Sequence, residues 1–189
     1  MPRRAEHGRV PDWDDLYECA AAQAGFFTLA QAAEAGYSPQ LIQYCIHAGR
    51  VERARRGVMR LVHYPTSDHE DLVPIWLWSE QLGVFGMETA LAMHGLSDAL
   101  PAHHDLILPK AWAARRLRAP SHVRLFYDDV AESDRQWMGP VPVTTPARTL
   151  LDCMRHHISP DLVTQAVRQA VARGVVTRAT VRAMESEVA

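Results

Sequence analysis

Between Thr28 and Leu61 the chain sets two helix start-and-stop signals in close succession and follows them with a glycine-centred arginine turn. That order limits the fold more than any other feature. Thr28 and Gln31 stand at T-x-x-Q spacing, in which the hydroxyl and the amide each satisfy a backbone N–H orphaned at a helix start. Gly36 falls where a left-handed C-cap belongs. Ser38 then caps a further helix with Pro39 at its first position, where a missing N–H costs nothing, and Gly49 closes it. Two short helices joined by a tight turn containing Gly make the helix-turn-helix layout. Upstream, Asp12 caps another helix whose Trp13, Leu16, Tyr17, Ala20 and Ala24 fall on one face, and Gly25 is expected to end it.

The helix from Pro39 divides its residues cleanly. Leu41, Ile42, Cys45 and Ile46 line one side, while Gln40, Gln43, Tyr44 and His47 fall on the other. Amides suit adenine edges, and Tyr or His can reach bases or phosphates. From Arg50 to Arg60 the chain then carries five arginines against Glu52 alone, although its overall net charge is -2. RVERARRGVMRL reads as two short strands around a three-residue loop that ends in a left-handed Gly57. This register sets Ala54 opposite Val58, Arg53 opposite Met59 and Glu52 opposite Arg60, so that Glu52 neutralises Arg60. Arg55 and Arg56 stay unpaired at the tip. Helices followed by an arginine-tipped hairpin form the winged helix-turn-helix arrangement, which binds DNA with a helix in the major groove and the wing on backbone or minor groove. Gln40, Gln43, Tyr44, His47, Arg50, Arg53, Arg55 and Arg56 are the expected DNA-binding residues.

After Tyr64 the pattern changes. PTSDHED is a polar connection, and residues 65–189 hold more acidic than basic groups, so the expected domains are 1–64 and 65–189. The second part starts with a Trp- and Leu-rich helix over residues 72–82 and a helix in GMETALAMHGL that stops at Gly95. HDLIL and HVRLFYD read as strands. PVPVTT adds a short strand placed at an edge, because prolines cannot donate to a ladder on both sides. Three helices close the chain: from Pro146, from Pro160, and one capped by Thr177. The expected class is α+β and helix-rich: a winged helix-turn-helix followed by a mixed α/β domain with a small sheet and three terminal helices.

The chemistry-bearing residues outside the wing are few. Cys19, Cys45 and Cys153 are odd in number and lack CxxC spacing, so they read as small buried hydrophobes. His103, His104 and Asp105 are adjacent and point to alternating faces of a strand, and no HxxxH or HExxH accompanies them, so no metal and no cofactor is expected. His94 reads as a hydrogen-bonding group at a helix end. No GxSxG, P-loop or GxGxxG occurs, Asp128 and Asp129 lie in a loop rather than a dyad, and a histidine-dependent hydrolase is a remote reading; the chain is not expected to be an enzyme. It has no 18-residue apolar run and no apolar stretch after its basic start, so a cytoplasmic protein without a membrane partner is expected. In TTPARTLLDCM, Thr145 caps a helix and Arg148 falls in its first turn, where the macrodipole disfavours a cation. Asp152, one turn on, is the compensating anion within the chain, and an acidic group on a partner is the alternative.

FFTLAQAAEAGYSPQLIQYCIHAGRVERARRGVMRL resembles the N-terminal domain of AbiEi-family antitoxins, and ETALAMHGL, DLILP and VTTPARTLLDCM follow in the order found in their C-terminal part. The resemblance implies a winged domain that binds its own promoter and represses the operon. It further implies a C-terminal domain that antagonises a nucleotidyltransferase-like toxin in a type IV toxin–antitoxin pair, with or without a stable complex. Arg148, Thr149 and Asp152 carry its antitoxin-domain motif. The added endonuclease-like domain of some relatives is not expected here, and nuclease activity is not implied. A stand-alone winged-helix transcriptional regulator without a toxin is the alternative.

Overall fold

The computed structural model describes residues 10–188; the basic start at residues 1–9, read above as no export signal, lies outside them. Contacts divide the chain into two compact units, residues 1–81 and 82–189. In the first, α1 (Trp13–Ala21) is capped by Asp12, whose carboxylate accepts from the backbone of Asp14 and Asp15. The helix stops four residues before Gly25. The glycine is nevertheless required: its φ is +87°, and a Cβ there would lie 2.6 Å from the Tyr64 side chain, whose hydroxyl donates to the Ala21 carbonyl at 3.0 Å.

The Thr28–Gln31 capping box forms with both of its hydrogen bonds and starts α2 (Leu29–Glu34). Ser38 and Pro39 start α3 (Pro39–His47), and Gly36 and Gly49 adopt φ of +86° and +69°. The wing consists of β2 (Val51–Arg55) and β3 (Val58–Leu61), and β1 (Phe26–Thr28) adds to the far side of β3, giving the order β1-β3-β2. β1 escapes sequence reading because its three residues also serve as the approach to a helix cap. Leu16, Ala20, Phe27, Ala32, Ile42, Cys45, Val51, Met59 and Leu61 form one buried core beneath helices and sheet. Fully burying each of the larger aliphatic or aromatic chains contributes about 1.5–3 kcal/mol.

The expected helix over residues 72–82 is shorter. A 3-10 turn (Glu70–Leu72) leads into α4 (Val73–Trp78), which ends at Ser79; Glu80 and Gln81 take positive φ. α4 packs on β1 and β3 with Val73, Ile75, Trp76 and Leu77 buried. Gln81 also donates to Gln23, which joins the Gln31 of the capping box. The contact boundary therefore falls after Gln81 rather than at Tyr64, where the composition changes: an apolar helix follows the sheet it covers, whatever the polarity of the linker before it.

The second unit is a five-stranded mixed sheet in the order β6-β5-β4-β8-β7, from β4 (Val84–Phe85), β5 (His104–Leu108), β6 (Val123–Tyr127), β7 (Arg135–Met138) and β8 (Val141–Thr144). Its helices are α5 (Met87–Met93), α6 (Pro146–Arg155), α7 (Pro160–Ala172) and α8 (Arg178–Val188). Met87, Leu91, Ile107, Leu150, Cys153, Ala166, Ala170, Val181 and Met184 are buried together, with Leu162, Val163, Val167 and Val171 packed against them. Thr177 accepts from the Thr180 N–H at the start of α8. One placement is corrected. β8 is interior, between β4 and β7, and all four of its residues are buried. Pro142 fits there because β4 pairs with β8 only at Phe85↔Val143. A parallel pair centred on Val143 draws on the N–H of Val143 or Thr144, never on that of Pro142.

Candidate nucleic-acid interface

The outward side of α3 follows from its inward side. Ile42 and Cys45 are buried, which turns Gln40, Tyr44 and His47 outward, Tyr44 with 66% of its surface exposed. Gln43 is half-buried and already engaged: its side-chain oxygen accepts from Arg53 Nη2 at 2.9 Å, and His47 Nδ1 lies 2.8 Å from the Gln43 carbonyl. Arg53 thus ties α3 to strand β2 of the wing. Arg50, just before that strand, lays its guanidinium over the Trp13 ring at 3.9 Å, which fixes a long side chain that would otherwise be free.

The hairpin pairs Glu52 with Arg60 and Arg53 with Met59, as the three-residue loop requires. Beyond Arg53 the register shifts: Arg55, not Ala54, faces Val58, and Ala54 is the extra residue of a bulge. Gly57 takes φ +80°. The bulge lengthens the paired strand to Arg55, leaving Arg56 and Gly57 to turn the chain. Glu52 sits 3.7 Å from Arg60, and Glu70 approaches the same guanidinium at 3.2 Å, a partner that sequence pairing rules do not reach. Among the described residues neither Arg55 nor Arg56 has an ion-pair partner, and Arg56 is exposed. Positive charge left over after internal pairing therefore collects at the wing tip and along Arg50 and Arg53.

In the second unit the motif residues are turned inward. Arg148 donates through Nε to both oxygens of Asp152 at 2.8 Å, through Nη2 to Asp128, and through Nη1 to Asp134 at 3.4 Å. Its side chain is 9% exposed and that of Asp152 3%. Burial works against the Arg148 charge, yet the bonds and charges of Asp152 and Asp128 outweigh it and hold the guanidinium above its ordinary pKa. Burial also carries the Asp152 carboxyl upward, against the pull of Arg148 and Arg155. The two directions differ on how well the pair tolerates its site; the Nε–H shared between both Asp152 oxygens and the second cation, Arg155 at 3.8 Å, decide for the ionised form. Thr149 donates to the Thr144 carbonyl at 3.2 Å and shares a 2.7 Å bond with the Thr144 hydroxyl, so it joins α6 to β8.

A second buried charge has the same character. Asp105 is fully buried, takes two hydrogen bonds from Arg124 at 2.7 and 3.0 Å, and accepts the Glu88 N–H at 3.0 Å; these bonds with Asp105 hold Arg124 above its ordinary pKa. The sequence shows Asp105 only as a neighbour of two histidines, and no local spacing announces Arg124. His94 caps α5, and its Nε2 lies 2.7 Å from the Thr144 carbonyl; burial lowers its pKa. Cys45 and Cys153 are buried, Cys19 partly so, and burial pushes the Cys153 thiol far above its usual range. No described helix is long and apolar enough to cross a membrane.

Residues 14–62 match the family model of the AbiEi antitoxin transcriptional regulators. The match runs from α1 through β3 and includes every residue expected above at the nucleic-acid face. Among solved structures, the crystal structure of RV2827C protein from Mycobacterium tuberculosis is similar at a TM-score of 0.56, with 15% identity over 94% of this chain and 72% of that one. At that identity the likeness shows a shared fold. No curated protein matches the chain.

Proposed function

We propose that this AbiEi-type regulator is the antitoxin and autorepressor of a toxin–antitoxin pair, acting in the cytoplasm without catalysing a reaction. Operator DNA is held by α3 in the major groove and by the wing on the backbone; residues 65–189 oppose a nucleotidyltransferase-like toxin of type IV, with or without a stable complex. The observation that carries the DNA half is the Arg53–Gln43 bond inside the family-matched segment: it sets the reading helix and the basic wing as one surface before DNA arrives. Gln40, Gln43, Tyr44 and His47 read bases, and Arg50, Arg53, Arg55 and Arg56 neutralise phosphates. Arg148, Thr149 and Asp152 hold the antitoxin domain together from inside rather than touching the toxin.

Full-length protein with Arg55→Glu and Arg56→Glu tests the division. Promoter binding should be lost while protection of toxin-expressing cells persists; loss of both in a protein that melts normally would defeat the two-part reading. One observation favours a stand-alone regulator instead: the family match ends at residue 62 and leaves the second unit unmatched. Co-expression with the product of the adjacent gene separates them, since a plain regulator rescues no growth.

A further inference from the structure

Between α7 and α8 runs an open groove of about 430 Å³ whose floor is Val167, Val171 and Val181 and whose rim carries Arg168, Arg178 and Arg182. All three arginines are exposed, and among the described residues none of their guanidinium groups has an ion-pair partner. This sets them apart from Arg148, Arg124 and Arg155 of the same unit, each of which meets a carboxylate. We propose that this groove is a docking site for an acidic amphipathic helix of a partner protein, apolar side chains at helical spacing on the valine floor and Asp or Glu against the three arginines.

The occupant follows from what the groove offers. A phosphodiester backbone could use the arginines but not an apolar floor, whereas a helix laid in a groove uses both. Among the described residues the chain itself supplies no such helix. Its acidic helix, α1, carries Asp14, Asp15 and Glu18, but Leu16 and Ala20 are spent in the core of the first unit. The start of the chain, MPRRAEHGR, is basic in sequence, so its charge does not complement the rim. Charge complementarity therefore points to another protein. The inference goes beyond the proposed function and stands apart from DNA binding, so either can fail alone.

The test uses the full chain and fluorescence anisotropy with a labelled peptide of about 14 residues, Leu at i, i+3, i+4 and i+7 and Glu between them, beside a scrambled peptide of equal composition. The amphipathic peptide should bind, the scrambled one should not, and raising salt from ~50 to ~300 mM should weaken binding. Arg178→Glu with Arg182→Glu should weaken it by about tenfold or more. Because these side chains are exposed and unpaired, melting should not change; if the double variant melts early, Arg168→Glu serves in its place. Equal binding of both peptides, binding indifferent to the substitutions, or binding of dodecanoate but not of the peptide would overturn the proposal.

Discussion

The two units treat arginine in opposite ways. In the first, Glu52 and Glu70 neutralise Arg60 on the inner part of the wing, and the charge that remains is displayed at Arg55 and Arg56. In the second, Arg148 is enclosed by Asp128, Asp134 and Asp152, and Arg124 is fixed by Asp105 and Glu88. The same side chain is thus a solvent-facing cation where its partners run out and a structural bolt where they converge. Sequence charge alone does not distinguish the cases, because carboxylates well separated along the chain take part in each: Glu70 at Arg60, Asp105 at Arg124, and Asp128 and Asp134 at Arg148.

The largest effect that tests this contrast is on stability. Arg148→Ala leaves three carboxylates facing one another with Asp152 buried, and breaking such a pair costs about 3–5 kcal/mol; thermal melting should fall steeply. In a double-mutant cycle Arg148→Ala and Asp152→Ala should couple by at least ~0.5 kcal/mol. An Arg148→Ala protein that melts normally yet no longer protects cells would move Arg148 from bolt to partner-binding residue and collapse the contrast.

Next in size is sequence preference. Gln43→Ala should cost about 1–3 kcal/mol on operator DNA and much less on random DNA. Since Gln43 also holds Arg53, part of the loss should reappear as weaker binding to all sequences; equal loss on both DNAs would make Gln43 a support for the wing rather than a reader. Smaller still is the effect of one wing-tip charge. With about four phosphates neutralised, log K should fall with log salt at a slope of about −3 to −4 per monomer, and Arg56→Ala should flatten that slope by about 1. Its melting should stay within ~0.5 kcal/mol of the parent, the opposite of Arg148→Ala. A flat salt dependence of the parent would remove the wing from the interface.

The smallest effect is one of pH. Burial lowers the folded-state pKa of His94, so its contribution to stability is present above the unfolded-state value near 6.5 and is lost as pH falls through the folded-state value. Denaturant unfolding should show stability declining on the acid side of neutrality, and His94→Gln, which can keep the bond to the Thr144 carbonyl without titrating, should remove part of that decline. An unchanged acid limb would show that His94 titrates as it does in the unfolded chain.

What the sequence determined by itself is local in physical origin. The caps at Asp12, Thr28, Ser38, Thr145 and Thr177 and the left-handed glycines at 36, 49 and 57 satisfy backbone groups within a few residues, so spacing alone reveals them. The Arg148–Asp152 contact was legible for the same reason, one helical turn apart. The surface proposed to meet DNA was only partly legible: the exposed side of α3 followed from its period, whereas the Arg53–Gln43 bond needs the wing to fold back across the helix. Only the tertiary structure decided the rest. It drew β1 and α4 onto the wing sheet, gave Pro142 an interior strand whose one-pair ladder needs no proline N–H, and closed Asp128 and Asp134 around Arg148. Each of these depends on which distant surface is left to be covered or which distant charge is left to be paired, and that quantity exists only after the local elements have met.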